Sequence, residues 1–455
     1  MFATIVMDLG SKVSRRIKRD FGGSKVLKKT IIAFAILGYT VGYSSVYAFH
    51  VVSLLWVFVS FCLVCFRQSL IIKQPQLLSP VLFLAGYSFL SILWSPDIYV
   101  WFRYQFYFAC GILTLLAVYQ SVNNRHQIVN VFKIVSFFVC LNVLVGFFES
   151  LGLARLPMSP YSPYVGFFGF SGTDFSLLSD EAAEIVGYKP TGFNWNPNNF
   201  GFVLMLVLPF VLLHKNKLFA SLGLVMIVWL LAAIGSRAHF IAFFVMFSCI
   251  PLLYKHSVAG LVAVFVLPLF LGLILLIPSY FLVENYGLLR MYSAFDEFSR
   301  GLDLIFSGAV QGGDSTSVRA EIYLFGLQKL IASYGLGLGV GGVEAMLIKE
   351  GFVITNFHFF FLQLLIDLGF VLFCFFMFLY FKLVTTLLRI AKRTLDRNMK
   401  YYARSSALSL MVAVPASMAP SGVHYILFFY VLIGFSLAIV KLDLSGGLDE
   451  SGSSW

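Results

Sequence analysis

The chain has 455 residues, 60% hydrophobic and 12% charged, with a mean hydropathy of +0.89, whereas soluble domains carry about 25% charged residues. A helix needs about 20 apolar residues to cross a hydrocarbon core, so this composition excludes a soluble globular protein. The net charge of +11 does not point to nucleic acid, because the charges collect at the ends of apolar runs.

Residues 1–30 are polar and basic, and they lead into an apolar run without a small-residue cleavage site. This reads as a cytoplasmic tail rather than a signal peptide. Apolar runs of spanning length follow at 31–48, 49–66, 77–94, 104–120 and 128–150. A first large loop covers 151–198. Further runs at 199–213, 218–235, 238–254 and 258–282 precede a second large loop at 283–355, and three more lie at 356–381, 405–420 and 424–441. The expected fold is an all-α polytopic membrane protein with about 12 transmembrane helices: 1–5 within 31–150, 6–9 within 199–282 and 10–12 within 356–441. A second short cytoplasmic tail, 442–455, closes the chain.

Alternating from a cytoplasmic N-terminus leaves only Arg103, Arg155, Lys189, Arg237, Arg290, Arg300, Arg319, Lys329 and Lys349 outside, and most of the 32 Lys and Arg inside. The positive-inside rule therefore places both termini in the cytoplasm and both large loops on the opposite face. All six cysteines (Cys62, Cys65, Cys110, Cys140, Cys249, Cys374) fall within apolar runs, where neither a disulfide framework nor a zinc site is expected.

In the second loop the Asp314–Ser317 cluster predicts an amphipathic helix over about Val318–Ser333, followed by the glycine-rich run 335–342. Gly337, Gly339 and Gly342 match Gly-x-Gly-x-x-Gly, but no strand precedes them, so the run reads as a close-packing loop and not a dinucleotide site. No Walker loop or Asp-x-Asp motif occurs, and no cofactor or metal is expected.

Cations at the outward span ends are the first candidates for chemistry. Arg103 opens one span, Arg237 lies in Gly235-Ser-Arg-Ala-His239 between two others, and Arg319 begins the loop helix, where the macrodipole favours an anion. Two arginines on different elements could grip a pyrophosphate bidentately. His358, in Thr355-Asn-Phe-His358, has an ordinary pKa near neutrality, as a base for an attacking hydroxyl requires. Asn196 and Asn198, in Pro190-Thr-Gly-Phe-Asn-Trp-Asn-Pro-Asn-Asn199, can orient a helix N-terminus toward an anion or sugar, or can simply start the helix. Asp367, nine residues after His358, lies off the histidine's face and reads as a polar packing partner.

These segments resemble the O-antigen ligase and polymerase superfamily. The matching stretches, in order, are Thr191-Gly-Phe-Asn-Trp-Asn-Pro-Asn198, Ile234-Gly-Ser-Arg237, Ser317-Val-Arg319 through Gly335-Leu-Gly-Leu-Gly339, and His358 through Leu362-Gln-Leu-Leu-Ile-Asp-Leu-Gly369. The resemblance implies an inverting, metal-independent membrane glycosyltransferase of GT-C type acting on glycans linked to undecaprenyl pyrophosphate. By matching position, Arg237 and Arg319 are expected to hold the pyrophosphate and His358 to serve the acceptor. Phe359 follows His358 where ligases usually show Asn. Arg155 to Gly166 and Arg290 to Gly301 each repeat an Arg-x10-Gly spacing similar to one described for O-antigen polymerases. Arg103, Arg155 and Arg290 are therefore added as substrate-binding candidates.

The expected activity is polymerisation of lipid-linked repeat units for O-antigen or another surface polysaccharide, at the periplasmic face of a bacterial inner membrane. The expected partners are the bilayer, the lipid-linked glycan and a chain-length regulator, with no nucleic acid. The alternatives are a ligase that passes finished glycan to the lipid A core in lipopolysaccharide biosynthesis and, from another class, a secondary transporter.

Overall fold

The computed structural model describes residues 22–65, 74–173, 186–250 and 315–446. The protein is mostly helical. Five of its described helices are long and apolar enough to cross a membrane: α4 (Ile98–Ser121), α5 (Arg125–Ser150), α7 (Lys217–Ile234), α12 (Phe370–Arg393) and α14 (Leu427–Leu444). Before them come α1 (Gly22–Leu37), α2 (Ala48–Cys65) and α3 (Ser79–Leu90), and between them α6 (Pro197–Leu212) and α8 (Arg237–Cys249). α9 (Ser315–Ala332), α10 (Gly342–Lys349) and α11 (Phe360–Leu368) precede α12, and α13 (Arg397–Ala416) precedes α14.

Several starts are fixed by one device. Asp97, Asn124, Asn196, Asn216 and Asp396 each place a side-chain oxygen on a free N–H of the first turn of α4, α5, α6, α7 and α13, which satisfies donors that have no intrahelical acceptor. α13 packs against α6, α8 and α12, and α14 against α4, α12 and α13. α13 is held to α6 by polar contacts around Pro209, which lies inside α6: Ser409 donates to the Leu206 carbonyl at 2.7 Å and Tyr401 to the Phe210 carbonyl at 2.6 Å. Hydroxyl bonds of this kind are one way helices adhere where lipid removes the hydrophobic drive.

Several expected elements differ. The first span is shifted to α1, and Gly42–Tyr43 pairs with Val46–Tyr47 in a two-stranded hairpin, β1 and β2, at the break before α2. The expected helix 356–381 is divided at Gly369, whose φ of +79° and ψ of 169° only glycine adopts readily. The loop helix begins at Ser315, three residues before its expected start. The expected span 258–282 and Arg290 lie outside the described residues.

Contacts divide the molecule into two ends. At one, Arg125 pairs with Asp396 at 2.5 Å, Arg393 pairs with Asp443, and Tyr119 bonds the Gln74 carbonyl. At the other, the site end, the 190–199 segment, α9 to α11 and the turn 417–426 come together.

Candidate functional site

The turn between α13 and α14, 417–426, is the hub of the site end. Phe360 donates to the Ser417 carbonyl at 3.4 Å. The Ala419 and Pro420 carbonyls lie within hydrogen-bonding reach of His358, and the Tyr425 hydroxyl bonds the side chains of Asn199 and Ser421. The His424 ring lies 4.3 Å from Tyr104 and 5.3 Å from Tyr107. Elements distant in sequence thus converge on ten residues.

His358 occupies the left-handed region, with φ +56°, which is strained for a bulky residue and is found at sites where the surroundings impose it. Its neighbours Phe357 and Phe359 both pack on Tyr323 of α9, at 5.2 and 6.3 Å. Tyr323 is one turn beyond Arg319, so the two share a helix face. The half-buried Arg319 is thereby registered against His358 closely enough to act on its charge. Gly326 continues that face, and a Cβ there would meet Ile366 at 2.6 Å and Phe357 at 2.8 Å. Burial, and after it the Arg319 charge, lower the His358 pKa from 6.5 to about 4, against the opposing pull of the two carbonyls. Its Nδ1 is buried with no partner. A tautomer with Nε2–H toward the carbonyls leaves Nδ1 as a free lone pair, held neutral at physiological pH.

The 190–199 segment is tied down from below. Glu149, buried in α5, accepts the N–H groups of Thr191 and Gly192 at 2.7 Å each, and Asn142 accepts that of Phe193 at 2.7 Å. Arg155 belongs to this staple. It donates to the Gly187 and Lys189 carbonyls at 2.6 and 3.1 Å and to the Ser159 hydroxyl at 3.1 Å, lies 3.9 Å from Glu149, and covers the Tyr161 ring. Asn196 caps α6 through the Asn198 N–H at 2.7 Å, which is the helix-starting role. Asn199 Oδ1 and Asn194 Nδ2 are buried without partners. Arg237 begins α8, just after Gly235 closes α7 in the left-handed region. Two residues on, His239 is seated against Gly201 of α6, where a Cβ would lie 2.3 Å from the ring. The backbone of Arg237 therefore starts beside the first turns of α6.

Arg103 enters a separate network. It pairs with Glu344 at 2.7 Å, Tyr104 donates to the same carboxylate at 2.6 Å, and Gln363 donates to Tyr104 at 2.8 Å. The Arg103 side chain keeps 44% of its surface exposed, so the pair leaves part of the guanidinium available. Through the Arg103 charge and burial, His424 is pushed down to about 3, with burial the larger cause. Asp367 accepts the N–H groups of Gly341 and Val343 at 3.0 Å each and so caps α10. The glycine-rich run packs backbone to backbone on the Gly369 break: Leu338 donates to the Ile366 carbonyl, and a Cβ on Gly337 would meet the Gly369 nitrogen at 2.4 Å. This is the close-packing role expected of those glycines.

The structure thus places Arg319 where its charge acts on His358, and puts Asn196, Asn198 and the backbone of Arg237 at the starts of α6 and α8, with the Arg237 side chain outside the described residues. It commits Arg155 to internal bonds and pairs Arg103. Glu344, Gln363, Tyr104, His424 and Tyr425 were not anticipated. The one sequence signal for them was the pair of ionisable residues, Glu344 and His424, inside otherwise apolar stretches.

No family model matches the chain. It is 21% identical over 372 residues to the teichuronic acid biosynthesis protein TuaE of Bacillus subtilis (strain 168), a match that spans 78% of this chain and 70% of that protein.

Proposed function

We propose that the protein is a membrane glycosyltransferase of surface polysaccharide biosynthesis that polymerises lipid-linked glycan units. The observation that carries this reading is the placement of Arg319 against a neutral, strained His358 with an unpartnered Nδ1. The likeness to a teichuronic acid biosynthesis protein supports the polysaccharide theme.

In the proposed reaction a sugar hydroxyl of one lipid-linked unit attacks the anomeric carbon of the glycan on a second undecaprenyl pyrophosphate. The hydroxyl proton passes to His358 Nδ1 as the new C–O bond forms. The bond to the pyrophosphate breaks, its electrons stay on the leaving oxygen, and a single displacement inverts the anomeric centre. Arg319 and Arg237 stabilise the developing negative charge, a task for which guanidinium groups need no metal. Asn198 and the α6 N-terminus contribute dipoles, and the exposed part of Arg103 faces the glycan. Phe359, at the position where ligases usually carry Asn, packs on Tyr323, which favours polymerisation over transfer to the lipid A core.

The test is reconstitution with a lipid-linked repeat unit in the presence of a chelator, read as a ladder on a gel. His358→Ala is expected to lower the rate by about 10²–10⁴ and Arg319→Lys by about 10²–10³, since lysine keeps the charge and loses the fork. Full ladders from both variants overturn the reading. In a deletion strain, long unattached lipid-linked chains in place of single repeat units would identify a ligase instead.

A further inference from the structure

A groove of about 560 Å³ runs between α3, α4, α12 and α14. Its walls are apolar over most of their length, with Leu84, Ile112, Leu364 and Phe376 among them. At the site end it reaches Ser88, Phe360 and Leu368, beside the Arg103 network. Toward the other end its lining turns polar, from Lys382 at mid-depth through Thr386 to Arg389 and Gln76. The chemistry proposed above uses none of these.

Sequence alone puts Lys382 just beyond the end of a span, but the break at Gly369 starts the crossing helix at Phe370. Lys382 therefore falls midway along a 24-residue helix, which is about 36 Å long. An ammonium at that depth is costly unless its stem carries it to an anion or to water. Arg389 follows seven residues later on the same face, with Thr386 between them. Neither cation forms an ion pair among the described residues. The outward face of α12 is bare, with Phe370, Val371, Phe378 and Phe381 exposed, as expected of a lipid-facing helix.

We infer that this groove binds one anionic glycerophospholipid, its acyl chains along the apolar walls and its phosphate held by Lys382 and Arg389. Charge complementarity selects the occupant: the groove is apolar along its length and carries two cations, Lys382 and Arg389, toward one end. Basic residues on that side attract anionic lipid. The orientation also separates this lipid from a lipid-linked sugar donor. The donor's pyrophosphate would lie at the opposite end, beside Arg319 and His358.

Native mass spectrometry of the full chain, after delipidation and titration with dioleoyl phosphatidylglycerol or dioleoyl phosphatidylcholine, tests the inference. The wild type is expected to retain one phosphatidylglycerol at concentrations where phosphatidylcholine is lost. Lys382→Gln with Arg389→Gln is expected to weaken retention about tenfold, while Lys382→Arg with Arg389→Lys restores it. Ala85→Trp, which fills the groove at mid-depth, is expected to remove binding with both cations intact. If the double Gln variant fails to fold, Arg389→Gln alone, on the exposed end of α12, is expected to weaken retention several-fold. Equal retention of the two lipids overturns the proposal, as does undiminished phosphatidylglycerol binding in the Gln variants. Displacement of phosphatidylglycerol by undecaprenyl phosphate, equally in wild type and Gln variants, would assign the groove to the carrier lipid instead. None of these readouts depends on glycosyl transfer.

Discussion

At the scale of single residues, His358 gathers the most physical constraints: a left-handed backbone, aromatic neighbours clamped by α9, and an arginine that disfavours its protonation. Because its pKa is lowered to about 4, the neutral base persists well below pH 6.5. The acid limb of the rate profile is expected near pH 4, and a limb at 6.5 would contradict the buried, arginine-facing placement. Arg319→Gln removes one cause of the depression, so carbon-13 NMR of labelled histidine is expected to show His358 titrating at higher pH. The sign for stability follows from linkage. Between pH 6.5 and about 4 the unfolded chain takes the proton first, so this residue's share of stability is complete above 6.5 and falls as the pH drops. Melting curves of His358→Gln should be less acid-sensitive across that window than those of the wild type. Glu344 gives a second prediction, because it accepts from both Arg103 and Tyr104 while nearly buried. Glu344→Ala is expected to cost about 1.5–3 kcal/mol, read as a lower melting temperature in detergent.

At the scale of elements, the joints carry the specificity. Gly369 divides α11 from α12, and a Cβ there would lie 2.4 Å from the Leu336 carbonyl. Gly369→Ala is therefore expected to lose folded protein in fluorescence-detected chromatography, whereas Gly86→Ala in α3, with nothing within 4 Å of the added carbon, is expected to be silent. The glycine-rich run and Gly369 are one packing device formed by two chain segments. The run's close-packing nature was legible from glycine density without a strand, but its partner was not, because nothing local in 335–342 specifies the 366–369 backbone. Asn196 was legible in the same limited way. A capping residue before an apolar run marks a helix start, and the structure uses it so.

At the scale of the whole molecule, the polar contacts sort the described helix ends into two groups. Arg125, Arg393 and Lys441 share one end, while Arg103, Arg155, Arg319 and His358 share the other. Cysteine-accessibility labelling checks the orientation. Val353→Cys is expected to react with an impermeant maleimide from outside intact cells, and Asn216→Cys only after permeabilisation.

The sequence by itself determined the mostly helical, apolar class and marked helix starts such as the one Asn196 caps. These follow from local quantities: the length of apolar runs and capping residues. Only the tertiary structure decided that Arg155 is a staple, that Arg103 is met by Glu344 from 241 residues away, and that the Arg319 charge acts on His358. It also decided that Lys382 lies midway along a helix long enough to cross a membrane. Each of these depends on which helix faces approach and on where a glycine lets the chain turn. Packing between distant segments settles those matters, and hydrophobic periodicity carries no record of the partner.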